Sequence, residues 1–167
     1  MKETIIIYGS TSGNCESIAN RIAEAIGVPT SSVIKASNLT SELIKGNTNL
    51  ILGSSTWASG DLQDEWYDAI EIIKSSNLVG KTVAVFGCGD SSGFSTTFCD
   101  AMFTLYEAAK SAGANMIGSV STDGYTFDES ASVVNGEFVG LAIDEDNESD
   151  RTANRIAAWV ENIKPSL

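Results

Sequence analysis

Histidine is absent from this sequence of 167 residues, and basic residues are few. Histidine is the commonest general base and a frequent metal ligand, so any enzymatic mechanism would have to work without one. Ten Lys and Arg residues stand against 22 Asp and Glu residues, which leaves a formal net charge of −12. That charge argues against nucleic acid and anionic membranes as partners and favours the basic surfaces of other proteins.

Long apolar runs and an even set of cysteines are also missing. No apolar run approaches the roughly 20 residues that a membrane helix needs, and the segment before Ile5 is too short for a signal peptide. The cysteines Cys15, Cys88 and Cys99 are odd in number and lack metal-type spacing. We therefore expect neither a disulfide scaffold nor a bound metal, and we expect a reducing cytoplasm as the location.

The sequence does contain a regular alternation of apolar and amphipathic segments. The alternation predicts strands over residues 4–8, 33–36, 50–53, 82–86 and 115–120, and helices over residues 14–26, 62–74, 98–110 and 149–163. Ser149 is the predicted cap of the last helix, with Asp150 in its first turn. Strands of nearly continuous apolar residues that alternate with helices indicate a parallel sheet covered on both faces.

Five such strands predict a doubly wound α/β fold with the strand order 2-1-3-4-5, in one domain over residues 1–167. Residues 121–139 are polar, contain glycine and do not fit the alternation. We interpret them as an insertion that splits the fifth strand, which resumes over residues 138–143. Ligands of such sheets bind beyond the carboxyl ends of the strands, where the winding reverses. The loops after the first, third and fourth strands are therefore the candidate binding loops.

The loop after the first strand, residues 9–15 (GSTSGNC), places hydroxyl groups and two glycines at the start of a helix. Free backbone N–H groups and the helix dipole favour an anion there. The loop suits a monophosphate, although a capped helix behind a flexible turn has the same pattern. A nucleotide triphosphatase loop is excluded because no Lys or Arg lies between Lys2 and Arg21, and no dinucleotide G-x-G-x-x-G motif is present.

Cys15 and Arg21 also match the C-x5-R spacing of the small tyrosine phosphatases. In those enzymes the cysteine ends the strand and the seven residues wrap the phosphate. Here Cys15 follows the glycine loop, and residues 15–21 read as a helix without glycine. The phosphatase interpretation is therefore disfavoured.

Each of the other two loops carries one aromatic residue among glycines and hydroxyls. Trp57 follows the third strand, and Phe94 follows the fourth. Such a ring either folds back onto the core or forms a platform for a flat ligand, and stacking on a platform is worth about 1–3 kcal/mol per base. With the phosphate loop, the two rings indicate a phosphorylated planar cofactor. Trp66 and Trp159 fall on helix faces that we expect to be buried, and we assign them to packing.

With these loops, the sequence resembles the flavodoxins over its full length. The family's phosphate motif is close to T-x-T-G-N-T, which residues 10–15 (STSGNC) follow with three substitutions, one of which is Cys15 in place of a threonine. Phe94 stands where the family usually has tyrosine. The other matching segments are residues 56–57 with 60–66, residues 87–90 with 98–101, and residues 122–125 with 138–144. The last pair is similar to the inserted segment of the long-chain subgroup.

The resemblance implies that the protein binds FMN non-covalently. Backbone N–H and hydroxyl groups would hold the phosphate, from Ser10, Thr11, Ser12, Gly13, Asn14 and Cys15. Trp57 would stack on one flavin face and Phe94 on the other, within a segment that includes Cys88 and Gly89. The remaining contacts would come from Ala58, Ser59 and Gly60 at the N5 edge, from Asp90, Thr97 and Cys99 at the pyrimidine edge, and from Thr56 and Asp146 at the ribityl chain.

The same resemblance implies a monomeric one-electron carrier, with partners such as a flavodoxin reductase and low-potential acceptor enzymes. The net negative charge should oppose a reduced, anionic flavin and so lower its potential. An FMN-dependent NAD(P)H or quinone reductase of the same fold is the alternative, but the absence of histidine and the single small domain favour the carrier. A signalling receiver is excluded, because Gly9 and Ser10 replace the acidic pair that it requires after the first strand.

Overall fold

The computed structural model describes residues 3–57 and 60–167, in which strands and helices alternate along the chain. The strands are β1 (Thr4–Gly9), β2 (Val33–Lys35), β3 (Asn49–Trp57), β4 (Asp61–Leu62), β5 (Thr82–Cys88), β6 (Asn115–Ile117), β7 (Val120–Ser121), β8 (Val133–Val134), β9 (Glu137–Phe138) and β10 (Leu141–Ile143). The helices are α1 (Asn14–Ile26), α2 (Ser41–Lys45), α3 (Trp66–Ser75), α4 (Asp100–Ser111), α5 (Glu145–Glu148) and α6 (Thr152–Ile163).

The central sheet has the predicted doubly wound order. β1 pairs in parallel with β2 on one side and with β3 on the other, and β5 pairs in parallel with β3. Two short strands share the outer edge of β5, where β6 lies beside its beginning and β10 beside its end. They are the two halves of the predicted fifth strand, so the order along the sheet is 2-1-3-4-5.

The segment between these halves forms a small antiparallel sheet in the order β7-β9-β8. Phe138 anchors it, since this buried ring lies 4.8 Å from the ring of Tyr125 and 5.3 Å from that of Phe127, measured between centroids. We expected the fifth strand to resume over residues 138–143. That boundary is wrong, because Phe138 pairs within the small sheet and only Leu141–Ile143 pairs with β5.

Both faces of the central sheet are covered by a hydrophobic core cluster. Successive residues of a strand point to opposite sides of the sheet, so the parallel strands contribute side chains to both clusters. On β1, Ile5 and Ile7 belong to the core cluster that includes Trp66, and Ile6 belongs to the cluster that includes Trp159. The indole N–H of Trp66 donates to Gly53 O at 2.8 Å, and that of Trp159 donates to Gly118 O at 2.8 Å. Their assignment to packing is confirmed.

Two predicted helices begin three or four residues later than expected, and the helix predicted over residues 98–110 begins two residues later, at Asp100. The helix predicted over residues 62–74 begins at Trp66, because Leu62 pairs with Thr56 as part of β4. The helix predicted over residues 149–163 begins at Thr152, and Ser149 makes no side-chain cap of it but begins a short 3-10 turn. The side chain that caps in this region is Asp144, which accepts a hydrogen bond from the backbone N–H of Asn147 at 3.2 Å in α5.

The three cysteines are all free and buried. The thiols of Cys15 and Cys88 lie 2.9 Å apart, measured between the two sulfur atoms. Across the two described ranges, no helix has both the length and the apolar character needed to cross a membrane.

Tyr125 joins the insertion to the main core, and its pKa predicts how the stability of the protein depends on pH. Its hydroxyl donates to Ala142 O at 2.7 Å, and the Arg155 guanidinium lies 3.8 Å from the centre of its ring. Burial raises the pKa of Tyr125 to about 12, against the opposing effect of Arg155. Because the folded state favours the neutral phenol, its contribution to stability is complete below about pH 10 and is lost as the pH rises towards 12.

We therefore expect the Tyr125→Phe variant to lose less stability than the wild type over this alkaline interval. Urea unfolding at a series of pH values measures the difference. Parallel stability curves for the two proteins would contradict this assignment.

Candidate functional site

A cavity of about 250 Å³ lies where the loops after β1 and β5 meet the last residues of β3 at the carboxyl edge of the sheet. The third strand was expected to end at residue 53, but it continues to Trp57 because Thr56 and Trp57 pair with β4. Its lining residues are Ser12, Asn14, Ser55, Thr56, Trp57, Cys88, Gly89, Asp90, Phe94, Thr97, Glu145 and Asp146. The parallel strands end at one edge, so segments distant in sequence share one wall. About half of the predicted site residues lie on this wall, whereas Ser10, Thr11 and Gly13 of the loop after β1 do not.

The loop after β1 leads directly into α1 at one end of this cavity. Gly13 has a φ of 94°, a left-handed conformation that favours glycine, and it allows Ser10 Oγ to accept the Gly13 N–H at 3.1 Å. No side chain caps α1. The first N–H groups of the helix therefore remain available to an anion, with the dipole in their favour.

The two aromatic side chains of the cavity are partly open to water. Trp57 is 43% exposed and Phe94 is 50% exposed, so neither ring folds back onto the core. The indole N–H of Trp57 donates to Ser55 Oγ at 2.8 Å, which sets the orientation of the ring. The loop of Phe94 is a tight turn in which the N–H of Phe94 donates to Asp90 O at 2.9 Å.

Asp90, Glu145 and Asp146 place carboxylates on another part of the wall, and the buried Asp144 lies close to two of them. Oxygen atoms of Asp90, Asp144 and Asp146 all lie within 4.8 Å of one another. The Asn147 amide donates to Asp90 Oδ1 at 2.8 Å and to Asp144 Oδ1 at 3.0 Å. Hydrogen bonds from the backbone N–H of Gly93 and then from Asn147 lower the pKa of Asp90, whereas burial and then the charge of Asp90 raise the pKa of Asp146.

This charge distribution orients any ligand that carries a phosphate. The acidic wall repels an anion, and the start of α1 attracts one. The charges of the cavity would therefore favour a phosphate at the start of α1 over one at the acidic wall.

Several predicted site residues lie away from the cavity wall. Cys99 is buried with φ 54°, and its sulfur lies 3.7 Å from Gly87 O. The thiol of Cys15 points at Cys88, so only its backbone is left for the phosphate loop. Gly60 borders a different groove, beside Asp100. The predicted contacts of Ala58 and Ser59 lie outside the described residues.

Sequence reasoning missed Ser55, Glu145 and Gln63. Ser55 and Glu145 line the cavity. Each is the sequence neighbour of a predicted site residue, and that position was the only sequence signal that could have identified them. Gln63 is buried, and its side chain donates to Thr11 Oγ1 at 3.0 Å across 52 positions of sequence. No local pattern indicates such a contact.

The fold and the cavity define a doubly wound α/β protein with a ligand site at its sheet edge, beside a helix N-terminus. Comparison with known proteins gives the particular family. The sequence profile described as Flavodoxin matches residues 6–159. The flavodoxin of Helicobacter pylori is 40% identical over 162 residues, covering 97% of this chain and 96% of the relative. The flavodoxin of Buchnera aphidicola is 40% identical over 166 residues, covering 99% and 97%.

Solved structures agree with the sequence relatives. A crystal structure of Fusobacterium nucleatum flavodoxin bound to flavin mononucleotide has a TM-score of 0.90 and 29% identity, and the match covers 100% of this chain and 99% of the other. The chain belongs to the flavodoxin family. Flavodoxins are electron-transfer proteins rather than enzymes, and FMN is their cofactor.

Proposed function

We propose that this chain holds FMN non-covalently in the cavity and carries single electrons at low potential between redox proteins. The observation that carries the proposal is one cavity lined by two half-exposed aromatic rings and by the first residue of α1, Asn14. We also propose that residues 1–167 form one FMN-binding domain. The insertion between β6 and β10 supports assignment to the long-chain subgroup.

The loop at residues 10–15 would hold the phosphate without a cation. Ser10 Oγ accepts the N–H of Gly13, so its own hydrogen is free for a phosphate oxygen. The hydroxyls of Thr11 and Ser12 and the uncapped N–H groups of α1 add further donors. The donor set fits a phosphate monoester.

The walls of the cavity would hold and tune the flavin. Trp57 and Phe94 offer ring faces, and Thr56 Oγ1 accepts the N–H of Ala101 at 3.2 Å, which leaves its hydrogen for a ligand oxygen. When bound, FMN supplies electron transfer in one-electron steps. Asp90, Asp144 and Asp146 oppose added negative charge in the cavity, which favours electron donation from the site.

Titration of the apoprotein with FMN tests this function. We expect saturable, one-to-one quenching of FMN fluorescence and a holoprotein that NADPH alone does not reduce repeatedly. A folded apoprotein that left FMN fluorescence unchanged at high concentration would overturn the proposal.

We propose that the partners dock through basic surfaces and that the carrier works as a monomer in the cytoplasm. Exposed carboxylates follow the Trp57 segment at Asp61, Asp64 and Asp68, and Asp146 lies at the acidic wall. They would attract a basic partner towards the flavin edge. The free cysteines are compatible with a reducing compartment.

Electron transfer from a basic reductase is therefore expected to slow as salt rises. We expect a decrease of roughly tenfold between low and high ionic strength, since screening removes the electrostatic attraction. Stopped-flow absorbance measures the rate. The comparison is a variant in which Asp61, Asp64 and Asp68 are all replaced by Asn. Its electron-transfer rate should depend less on ionic strength than that of the wild type. Equal slopes for the two proteins would count against this docking surface.

A further inference from the structure

Gln63 is a buried link between two segments that border the cavity. It follows β4, and its side chain is 4% exposed. Its Nε2 donates to Thr11 Oγ1 at 3.0 Å in the phosphate loop, and its backbone N–H donates to Ser54 Oγ at 3.1 Å in β3. The amide oxygen is also engaged, because the backbone N–H of Glu65 donates to Oε1 at 2.8 Å.

These bonds fix the direction of the Gln63 amide. The N–H of Glu65 can only donate, so the atom that meets it must be the amide oxygen. The NH₂ group therefore faces Thr11, and it also can only donate. Thr11 Oγ1 is consequently the acceptor in that bond, and its own hydrogen must point elsewhere.

Tight packing keeps the amide from rotating. A Cβ atom added at Gly9 would lie 2.6 Å from Gln63 Oε1 and 2.7 Å from Cδ1 of Trp66. Trp66 is itself buried and held by its bond to Gly53 O at 2.8 Å. The backbone of β1 and the Trp66 ring therefore confine the side chain in one orientation.

We propose that Gln63 is a positioning residue that turns the Thr11 hydroxyl into a hydrogen-bond donor for the phosphate, and so helps the site select FMN over riboflavin. The proposal rests on the proposed function. In a loop without lysine or arginine, every hydroxyl donor carries a larger share of phosphate recognition. Thr11 is exposed, so its free hydrogen can reach a ligand outside the protein interior.

The test compares the affinities of apoproteins for FMN and for riboflavin by fluorescence titration. The Gln63→Met variant keeps the length of the side chain and removes the amide. Thr11 is then free to turn its hydrogen away, so we expect the preference for FMN over riboflavin to decrease by about three- to tenfold. The affinity for riboflavin should stay within about twofold, since riboflavin has no phosphate.

The Thr11→Val background shows whether Gln63 acts through Thr11. The double variant with Gln63→Met and Thr11→Val should show the same preference for FMN over riboflavin as Thr11→Val alone. Ser55→Ala is the matched control, because it releases the Trp57 indole and should weaken both ligands equally. If Gln63→Met does not fold, Gln63→Glu keeps the acceptor for Glu65 and replaces the donor. Gln63→Glu should decrease the preference for FMN over riboflavin more in the wild-type background than in the Thr11→Val background.

Two results would overturn the role of Gln63. One is an equal loss of FMN and riboflavin affinity in Gln63→Met, which would indicate a purely structural part. The other is a decrease in the preference for FMN of the same size with and without the Thr11 hydroxyl. A wild-type apoprotein that bound neither ligand would instead refute the proposed function, and the role of Gln63 with it.

Discussion

Replacing Trp57 with alanine is expected to weaken FMN binding by about 5- to 150-fold, the range that corresponds to about 1–3 kcal/mol of lost stacking. The Trp57 indole is 43% exposed and lines the cavity, so the loss falls on the ligand rather than on the protein core. The thermal midpoint of the apoprotein should therefore change little. Fluorescence titration with FMN measures the loss in affinity.

Two further variants make the Trp57 experiment specific. Trp57→Phe should recover much of the affinity, because a smaller ring still offers a flat face. Tyr67→Ala removes another exposed aromatic ring, which is 63% exposed but does not line the cavity, and it should leave FMN binding unchanged. Unaltered binding in Trp57→Ala would mean that the flavin does not lie against this ring.

Replacing Gly140 with alanine is expected to lower the free energy of unfolding by about 3 kcal/mol or more. Gly140 comes directly before β10, where the second half of the fifth strand joins β5. A Cβ atom here would lie 2.0 Å from the backbone oxygen of Val85 and 2.7 Å from its Cγ2. Because β5 is buried along its whole length, its backbone has no room to move aside.

Thermal unfolding should show the effect as a decrease in Tm of roughly 6–12 °C. Gly46→Ala is a control with the same chemical change at the end of α2. Its φ is −77°, and its Cβ would meet Glu42 O at an ordinary 3.4 Å, so stability should change by less than about 0.5 kcal/mol. Similar stabilities for the two variants would show that β10 does not pack as closely on β5 as the structure indicates.

The central strands were readable from local patterns, because a strand that is covered on both faces leaves a continuous apolar run in the sequence. A run such as Ile5-Ile6-Ile7 is apolar at every position, and that occurs when both faces of a strand are covered. Helix starts were predicted less well. Leu62 has an apolar side chain at helical spacing from Trp66, yet it pairs with Thr56 in β4. A backbone pairing between separate segments overrode the periodicity.

The candidate site divides in a similar way. Trp57 and Phe94 were noticeable as aromatic residues in polar loops, and the structure places both on one cavity wall. The thiol of Cys15 was placed by sequence in the phosphate loop. In the structure it lies 2.9 Å from the thiol of Cys88, which the sequence could not indicate because the two are 73 positions apart.

By itself, the sequence determined the alternation of strands and helices, the neutral phosphate loop and the presence of two aromatic residues near it. These features depend on residue type and on spacing within a few turns of chain. The tertiary structure alone decided that Gln63 touches Thr11, that Gly140 lies against Val85 and that the carboxylates of Asp90, Asp144 and Asp146 come together. Those contacts join residues far apart in sequence, and packing in three dimensions selects them rather than any local preference of the chain.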